Sequence, residues 1–349
     1  MKVLNKDSFK KFKKRLSGWF AKYYQRILGF GLLAFLFLLL PSGNIYYNPP
    51  VPGVPISSDI PLSLPSPPPY PVNITGLSPE PLTSEGVVVV DLPSGGVIYQ
   101  KNSDTRLAPA STTKIMTALV SLDKYALDDV VTVKTVVTEG STMGLVRGEK
   151  ITVESLLYGA LVQSANDAAY ALAENYPGGV QKFVEAMNEK LKELHLKSTH
   201  FANPMGFEDK NHYTTPYDLA HIAAFALKNK TFAKIVGVPQ ITVSDVNYTT
   251  FHNLKNVNQL LGRVSGVYGV KSGYTEEAGE CLVTVVKRGD REILIVLLRS
   301  SDRFGETERI INWVFDNYRW ENILNLLPVV PTVSLFSVPS ATISGIKSR

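Results

Sequence analysis

Hydrophobic and polar positions along the chain change period several times. The densest apolar run is ILGFGLLAFLFLLL, Ile27 to Leu40, without a charge. Fourteen helical residues span about 21 Å, short of a hydrocarbon core of about 30 Å. The preceding WFAKYY supplies interfacial aromatics and snorkelling lysines that lengthen the span. Residues 41–83 hold 13 of the 22 prolines, so that stretch predicts an extended, polyproline-like spacer with neither helix nor sheet. Regular patterning begins near Ser84. GVVVVDLPSGGVIYQ reads as strand, turn at Pro93–Gly96, strand. TVESLLYGALVQ starts on a cap at Thr152, and SANDAAYALAENY restarts a helix with Ser164 or Asn166 as cap. GVQKFVEAMNEKLKEL places Val180, Phe183, Val184, Met187, Leu191 and Leu194 on one helical face. TTPYDLAHIAAFAL carries Thr215 as N-cap and Pro216 in the first turn. Strands return at about 267–274, 281–287 and 292–299, the last two joined by a tight turn in KRGD. A final helix runs over about 304–319. The proline-bearing end shows no helical period.

Strands at both ends with helices between them predict one α+β domain. Its antiparallel sheet would combine an N-terminal hairpin with three C-terminal strands, with the first and last helices packed on it. The domain reading is therefore a basic segment at 1–26, a hydrophobic signal anchor at 27–40 and a Pro-rich linker at 41–83. A folded domain at 84–322 and a tail at 323–349 complete it.

Charge sharpens this picture. Residues 1–26 carry nine Lys/Arg and one acid, a net +8, which leaves −3 for residues 27–349 against a whole-chain +5. The basic character belongs to the first segment, and the folded part offers no nucleic-acid surface. By the positive-inside rule the basic end stays in the cytoplasm and the remainder is exported. No small-x-small cleavage site follows Leu40, so the expectation is a single-pass membrane protein with its folded domain outside the cell. Secretion after signal cleavage is the alternative. Cys281 is the only cysteine, so an intrachain disulfide and a Cys-rich metal site are excluded.

One helix contradicts its own pattern. In APASTTKIMTAL, Ala108 to Leu119, the apolar residues predict burial, yet Lys114 lies among them. A buried ammonium is costly unless paired or employed. Ser111 stands three residues earlier, on the same helical face and about 4.5 Å away along the axis. A serine hydroxyl becomes a nucleophile when a base takes its proton, and burial lowers a lysine towards neutrality, which makes it such a base. The tetrapeptide alone is a weak signal. It gains force from Ser164-Ala165-Asn166 at a helix junction, 53 residues on, and Lys271-Ser272-Gly273 on a strand, 107 residues further. Each has a bland explanation, as caps and a strand end. In this order and on these elements, S-x-x-K, S-x-N and K-[ST]-G form the set used by serine penicillin-recognising enzymes.

With those motifs, the chain resembles the D-alanyl-D-alanine carboxypeptidases, the low-molecular-mass penicillin-binding proteins. LAPASTTKIMTAL, LLYGALVQSANDAAYALAE, HFANPMGF, HYTTPYDLAHIA and GVKSGYTEEAGECLV all look like that family's blocks, over about residues 84–320. The resemblance implies a DD-peptidase/β-lactamase-like fold: a five-stranded antiparallel sheet flanked by helices, with a helical subdomain. It implies Ser111 as acylated nucleophile and Lys114 as its base. Ser164, supported by Lys271, would relay a proton to the leaving amine, and Asn166 would hold the substrate amide. Lys271 and Ser272 would hold the terminal carboxylate, with Arg303 near it. The backbone N–H groups of Ser111 and Tyr274, beside Gly273, would form the oxyanion hole. No metal or cofactor is implied. The implied substrates are peptidoglycan stem peptides ending in D-Ala-D-Ala, and the implied covalent inhibitors are β-lactams. KSG replaces the commoner KTG and SAN the commoner SGN. The β-rich C-terminal domain and C-terminal amphipathic anchor of some members are absent from the pattern, and the N-terminal hydrophobic segment would anchor instead.

Three other readings stand beside this one: a D,D-endopeptidase or weak transpeptidase on the same fold, a β-lactamase using Glu208, and a non-catalytic cell-wall binder. His195, His200, His212, His221 and His252 show no metal-binding spacing, and His200 and His212 are expected to make structural hydrogen bonds. Cys281, in CLVTVV, is expected in the core.

Overall fold

The computed structural model describes residues 67–322, together with some helical positions between Lys10 and Tyr23. The apolar run 27–40, the linker as far as residue 66 and the tail from residue 323 lie outside the described residues. No helix among the described residues is long and apolar enough to cross a membrane. The chain divides into two units, residues 1–64 and 65–349, and the account below concerns the second.

Five antiparallel strands make the main sheet: β2 (Gly86–Asp91), β3 (Val97–Lys101), β8 (Val267–Thr275), β9 (Gly279–Arg288) and β10 (Arg291–Ser300), in the order β3-β2-β10-β9-β8. The N-terminal hairpin and the three C-terminal strands join where Ile295 faces Val89. Alternation decides the layers. Val87, Val89, Ile293, Ile295 and Leu297 point to one face, where they meet Ile310, Ile311 and Val314 of α7 (Arg303–Asn317). Val88, Leu294, Val296 and Leu298 point to the other, into the cluster shared with the helices. Both faces are covered, which explains why VVVV and ILIVLL read as continuous apolar runs.

Beyond the second face lies a layer of helices: α1 (Lys114–Lys124), α2 (Val153–Val162), α3 (Asn166–Glu174), α4 (Gly179–Glu193), α5 (Pro216–Leu227) and α6 (Lys230–Val236). Two caps read from the sequence form here: the Thr152 side chain accepts from Ser155 N and that of Thr215 from Asp218 N. The first helix was expected on the sheet. Instead α5 lies over β2 and β10, and α1 packs chiefly among helices, while the 3₁₀ turn before it, Ala110–Thr113, abuts β8. The expectation failed because α1 is apolar nearly all round, with eight buried residues in succession from Lys114 to Ser121, and such a helix belongs inside a layer.

Three small ribbons were not foreseen: β4 (Val130–Thr132) with β5 (Lys150–Thr152), β6 (Gln240–Ser244) with β7 (Phe251–Lys255), and β1 (Tyr70–Asn73) with β11 (Tyr318–Glu321). The last corrects the expectation of no sheet before Ser84: Pro71 opposes Trp320 in a two-stranded ribbon, where an edge proline is tolerated. It also ends the final helix at Asn317, two residues early.

Candidate active site

Ser111 does not sit on the α-helix proper. It lies in the tight turn Ala110–Thr113, and Lys114 opens α1 directly after it. The turn still brings the pair together, with Lys114 Nζ 2.9 Å from Ser111 Oγ. Ala110 holds a positive φ of 48°, uncommon for a residue with a Cβ and a form of strain found near reactive sites. Two close approaches lock the turn. A Cβ at Gly206 would fall 2.0 Å from Ala110 O, and one at Gly273 would fall 2.7 Å from Ser111 N, so only glycine fits at either place.

Lys114 is wholly buried. Its Nζ also reaches Asn166 Oδ1 and Met205 O, each at 2.7 Å. Burial lowers the amine from 10.5 to about 7, against the opposing pull of the Asp167 carboxylate. A neutral amine has two N–H donors and one lone pair. Asn166 Oδ1 and Met205 O accept the donors, and the lone pair faces the Ser111 hydroxyl.

Ser164 and Asn166 flank the α2–α3 junction. Neither caps α3: the N-cap is Ala165, without a side-chain bond. Ser164 adopts φ 64° and its Oγ accepts from Lys271 Nζ at 2.8 Å. Asn166 donates through Nδ2 to Glu139 O at 2.8 Å while its oxygen meets Lys114. Lys271 is buried and also donates to Ser272 O at 2.7 Å. Burial, followed by the charges of Lys114 and Arg303, holds Lys271 well below the usual lysine range. Arg303 starts α7, and its Nη1 donates to Gly273 O at 2.8 Å.

These groups surround a cleft of about 740 Å³ lined by Ser111, Ser164, Asn166, Ser272, Gly273, Tyr274 and Arg303. Lys114 and Lys271 lie beneath Ser111 and Ser164, so the structure gathers all nine expected residues around one cavity. Tyr274 is largely exposed at its rim, at 61%.

Sequence reasoning missed two supports, Met205 O and Asp167; it expected a structural bond from His212 and named Glu208 only as a β-lactamase residue. Met205 O is presented to Lys114 by an Asn-centred turn, in which Asn203 Oδ1 accepts from the N–H groups of Met205, Gly206 and Phe207. The Asp167 carboxylate accepts from Met143, Gly144 and Leu145 N, pinning the loop opposite β8. His212 Nδ1 accepts from Ala202 N, which leaves Nε2–H to donate to Thr113 Oγ1 at 2.8 Å. Burial drops His212 from 6.5 to about 4, as suits a neutral structural ring. Glu208 accepts from Glu277 N at 2.8 Å, tying a cleft loop to the β8–β9 turn. Short polar residues beside glycine or proline, as in ANPMG, were the available signal for the first. Cys281 is buried, which raises its thiol to about 11.

Comparison with known proteins agrees with this geometry. The family model described as D-alanyl-D-alanine carboxypeptidase matches residues 73–301. The chain belongs to the D-alanyl-D-alanine carboxypeptidase family. It is 37% identical over 245 residues to a D-alanyl-D-alanine carboxypeptidase of Bacillus subtilis, covering 67% of this chain and 63% of that one. A Streptomyces carboxypeptidase is 36% identical over 69% of this chain and 90% of its own. A D-alanyl-D-alanine endopeptidase of Pseudomonas aeruginosa is 34% identical over 67% and 77%. The chain thus spans a little under two thirds of the Bacillus relative. Among solved structures, the Streptomyces K15 DD-transpeptidase aligns with TM-score 0.65 at 35% identity, over 69% of this chain and 100% of that one. The fold is that of the DD-peptidases and penicillin-binding proteins.

Proposed function

We propose that this chain removes the terminal D-alanine from peptidoglycan stem peptides ending in D-alanyl-D-alanine, through an ester on Ser111. The observation that carries the reading is the buried Lys114 amine, held near neutrality and aimed at Ser111 Oγ. Ser111 gives its proton to the Lys114 lone pair as its oxygen bonds to the scissile carbonyl carbon. Negative charge on the carbonyl oxygen is met by the N–H groups of Ser111 and Tyr274, a contribution of about 3 kcal/mol per donor. The C–N bond then breaks, and the proton held by Lys114 passes through Ser164, to which Lys271 is bonded, to the departing amine, leaving Lys114 neutral. Water attacks the ester and gives a proton to Lys114, which returns it to Ser111 Oγ as the ester C–O bond breaks and frees the shortened peptide. Lys271, Ser272 and Arg303 receive the terminal carboxylate, charge against charge. β-Lactams would acylate the same serine. The basic N-terminus and the apolar run support a membrane-anchored enzyme acting outside the cytoplasm.

Incubating the protein with a stem pentapeptide and with a crosslinked dimer, followed by mass spectrometry, tests the reading. Free D-alanine from the pentapeptide, lost in Ser111→Ala, is expected; cleavage of the dimer alone refutes it and favours the endopeptidase. That second reading has support in the Pseudomonas relative's name. Glu208, the residue a β-lactamase reading would use, has its carboxylate engaged by the β8–β9 turn.

A further inference from the structure

Behind the cleft wall lies a buried polar pair that the proposed chemistry does not use. His252 of β7 and Glu149 of the β4–β5 connection are buried, with side chains 3% and 2% exposed, and meet at 2.7 Å from Nε2 to Oε1. The other ring nitrogen, Nδ1, lies 2.9 Å from Met143 O. The remaining Glu149 oxygen accepts from Val146 N at 3.0 Å. A carbonyl oxygen only accepts, so Nδ1 donates to Met143 O, and Nε2 and Glu149 Oε1 share the proton between them. A buried polar pair of this kind adds little net stability once desolvation is counted. Its placement suggests another use.

Met143 is the point of purchase. Its C=O is held by His252, and its N–H by Asp167, at 3.0 Å to Oδ1 and 3.1 Å to Oδ2. Asp167 directly follows Asn166. The same loop supplies Ser141 O to Asn166 N at 2.7 Å and Glu139 O to Asn166 Nδ2 at 2.8 Å. Gly140 is so close that a Cβ there would lie 2.7 Å from Asn166 Nδ2. The loop therefore aims Asn166 at Lys114 and walls the cleft. It is fixed from the α3 side by Asp167 and from the β6–β7 ribbon by the His252–Glu149 pair.

We propose that His252 and Glu149 are positioning residues for the reaction: they clamp the 139–145 wall through Met143 and so set the orientation of Asn166. The inner side of the β6–β7 ribbon then supports the site through His252 alone. Only the choice of peptide assay rests on the carboxypeptidase reading, because penicillin acylation of Ser111 reports on the clamp independently.

The test compares full-length wild type with His252→Gln, Glu149→Gln, the double variant and Asn253→Ala. The last is a control on the same ribbon, where the Asn253 side chain faces the exposed side and accepts from Thr242 Oγ1. Second-order acylation by a fluorophore-tagged penicillin V, and kcat and KM for D-alanine release, are measured where circular dichroism shows every protein folded. The single clamp variants should lose about tenfold in the acylation constant and raise KM more than they lower kcat, as misplaced binding groups do. The double variant should be no worse than the worse single, since the two act as one unit. Acylation within twofold of wild type in either clamp variant, or an equal loss in Asn253→Ala, overturns the proposal. If His252→Gln does not fold, Glu149→Gln, which keeps the shape, decides alone. Wild type that is acylated but releases no D-alanine overturns the carboxypeptidase reading, and the acylation ratios still judge the clamp.

Discussion

The sharpest consequence of the buried Lys114 amine is the pH dependence of acylation. Its value of about 7 means that about half of the molecules carry a neutral base at pH 7, and about one in eleven at pH 6. At the ordinary 10.5 the neutral fraction at pH 7 would be about 3 in 10,000. Burial thus raises the active fraction more than a thousandfold, equivalent to a shift on the order of 5 kcal/mol between the two protonation states. The sign follows: the base must be deprotonated, so acylation rises with pH through about 7 and levels off by about pH 8. The assay is the second-order constant for a fluorescent penicillin between pH 5.5 and 9, with circular dichroism confirming the fold at each point. Lys114→Arg should be inert throughout, since a guanidinium offers no lone pair. A wild-type profile flat over this range, or a rise centred above pH 9, would show that Lys114 acts as a fixed charge and that another group deprotonates Ser111.

Replacing Arg303 by Ala should raise KM about tenfold for a pentapeptide with a free carboxylate and leave an amidated analogue unchanged, because only the former offers an anion; equal effects on both would place Arg303 in support of β8 alone. His212 is held near 4 in the fold against 6.5, so the unfolded chain takes its proton first, and stability falls between about pH 6.5 and 4 by about 3 kcal/mol. Urea titrations across that range should show the loss, and a variant lacking the ring should start lower and lose the slope. Glu306 is fully buried and accepts from Thr83 N, Ser84 N, Ser84 Oγ and Ser300 Oγ; Glu306→Gln should destabilise by about 2–3 kcal/mol, as a lost charge-assisted network does, read as a drop in the urea midpoint at unchanged slope.

The fold was legible wherever one pattern decided the outcome. Continuous apolar strands required a sheet covered on both faces, and Thr152 and Thr215 marked their helix starts correctly. It was illegible where pairing joins distant segments of weak pattern. Nothing in YPVN indicates that Tyr70 will face Glu321, and FHNLK has too few apolar positions to announce an inner and an outer face. The site divides in the same way. Side chains with chemical character in short motifs, Ser111 with Lys114 or Lys271 with Ser272, could be named in advance. Met205 O could not, because a backbone carbonyl has no sequence signature. Nor could His252, which meets Glu149 103 residues away in sequence.

The two buried lysines show why the site needs so many supporting bonds. A lysine held low in the fold but normal in the unfolded chain costs stability at every pH below its unfolded value. For Lys114 the loss is complete below about pH 7 and fades as pH rises towards 10. Lys271, lowered by its own burial and by the charges of Lys114 and Arg303, adds a penalty of the same sign. Asp167 relieves Lys114 only in part, and it can do so because its carboxylate is itself steadied by the N–H groups of Met143, Gly144 and Leu145. If that carboxylate were closer to the amine, it would restore the proton and abolish the base. The arrangement is a compromise between holding two amines in a dry interior and keeping one of them unprotonated when a substrate arrives. It places the electrostatic support one residue beyond Asn166, in the first turn of α3, where the same carboxylate holds the loop that walls the cleft.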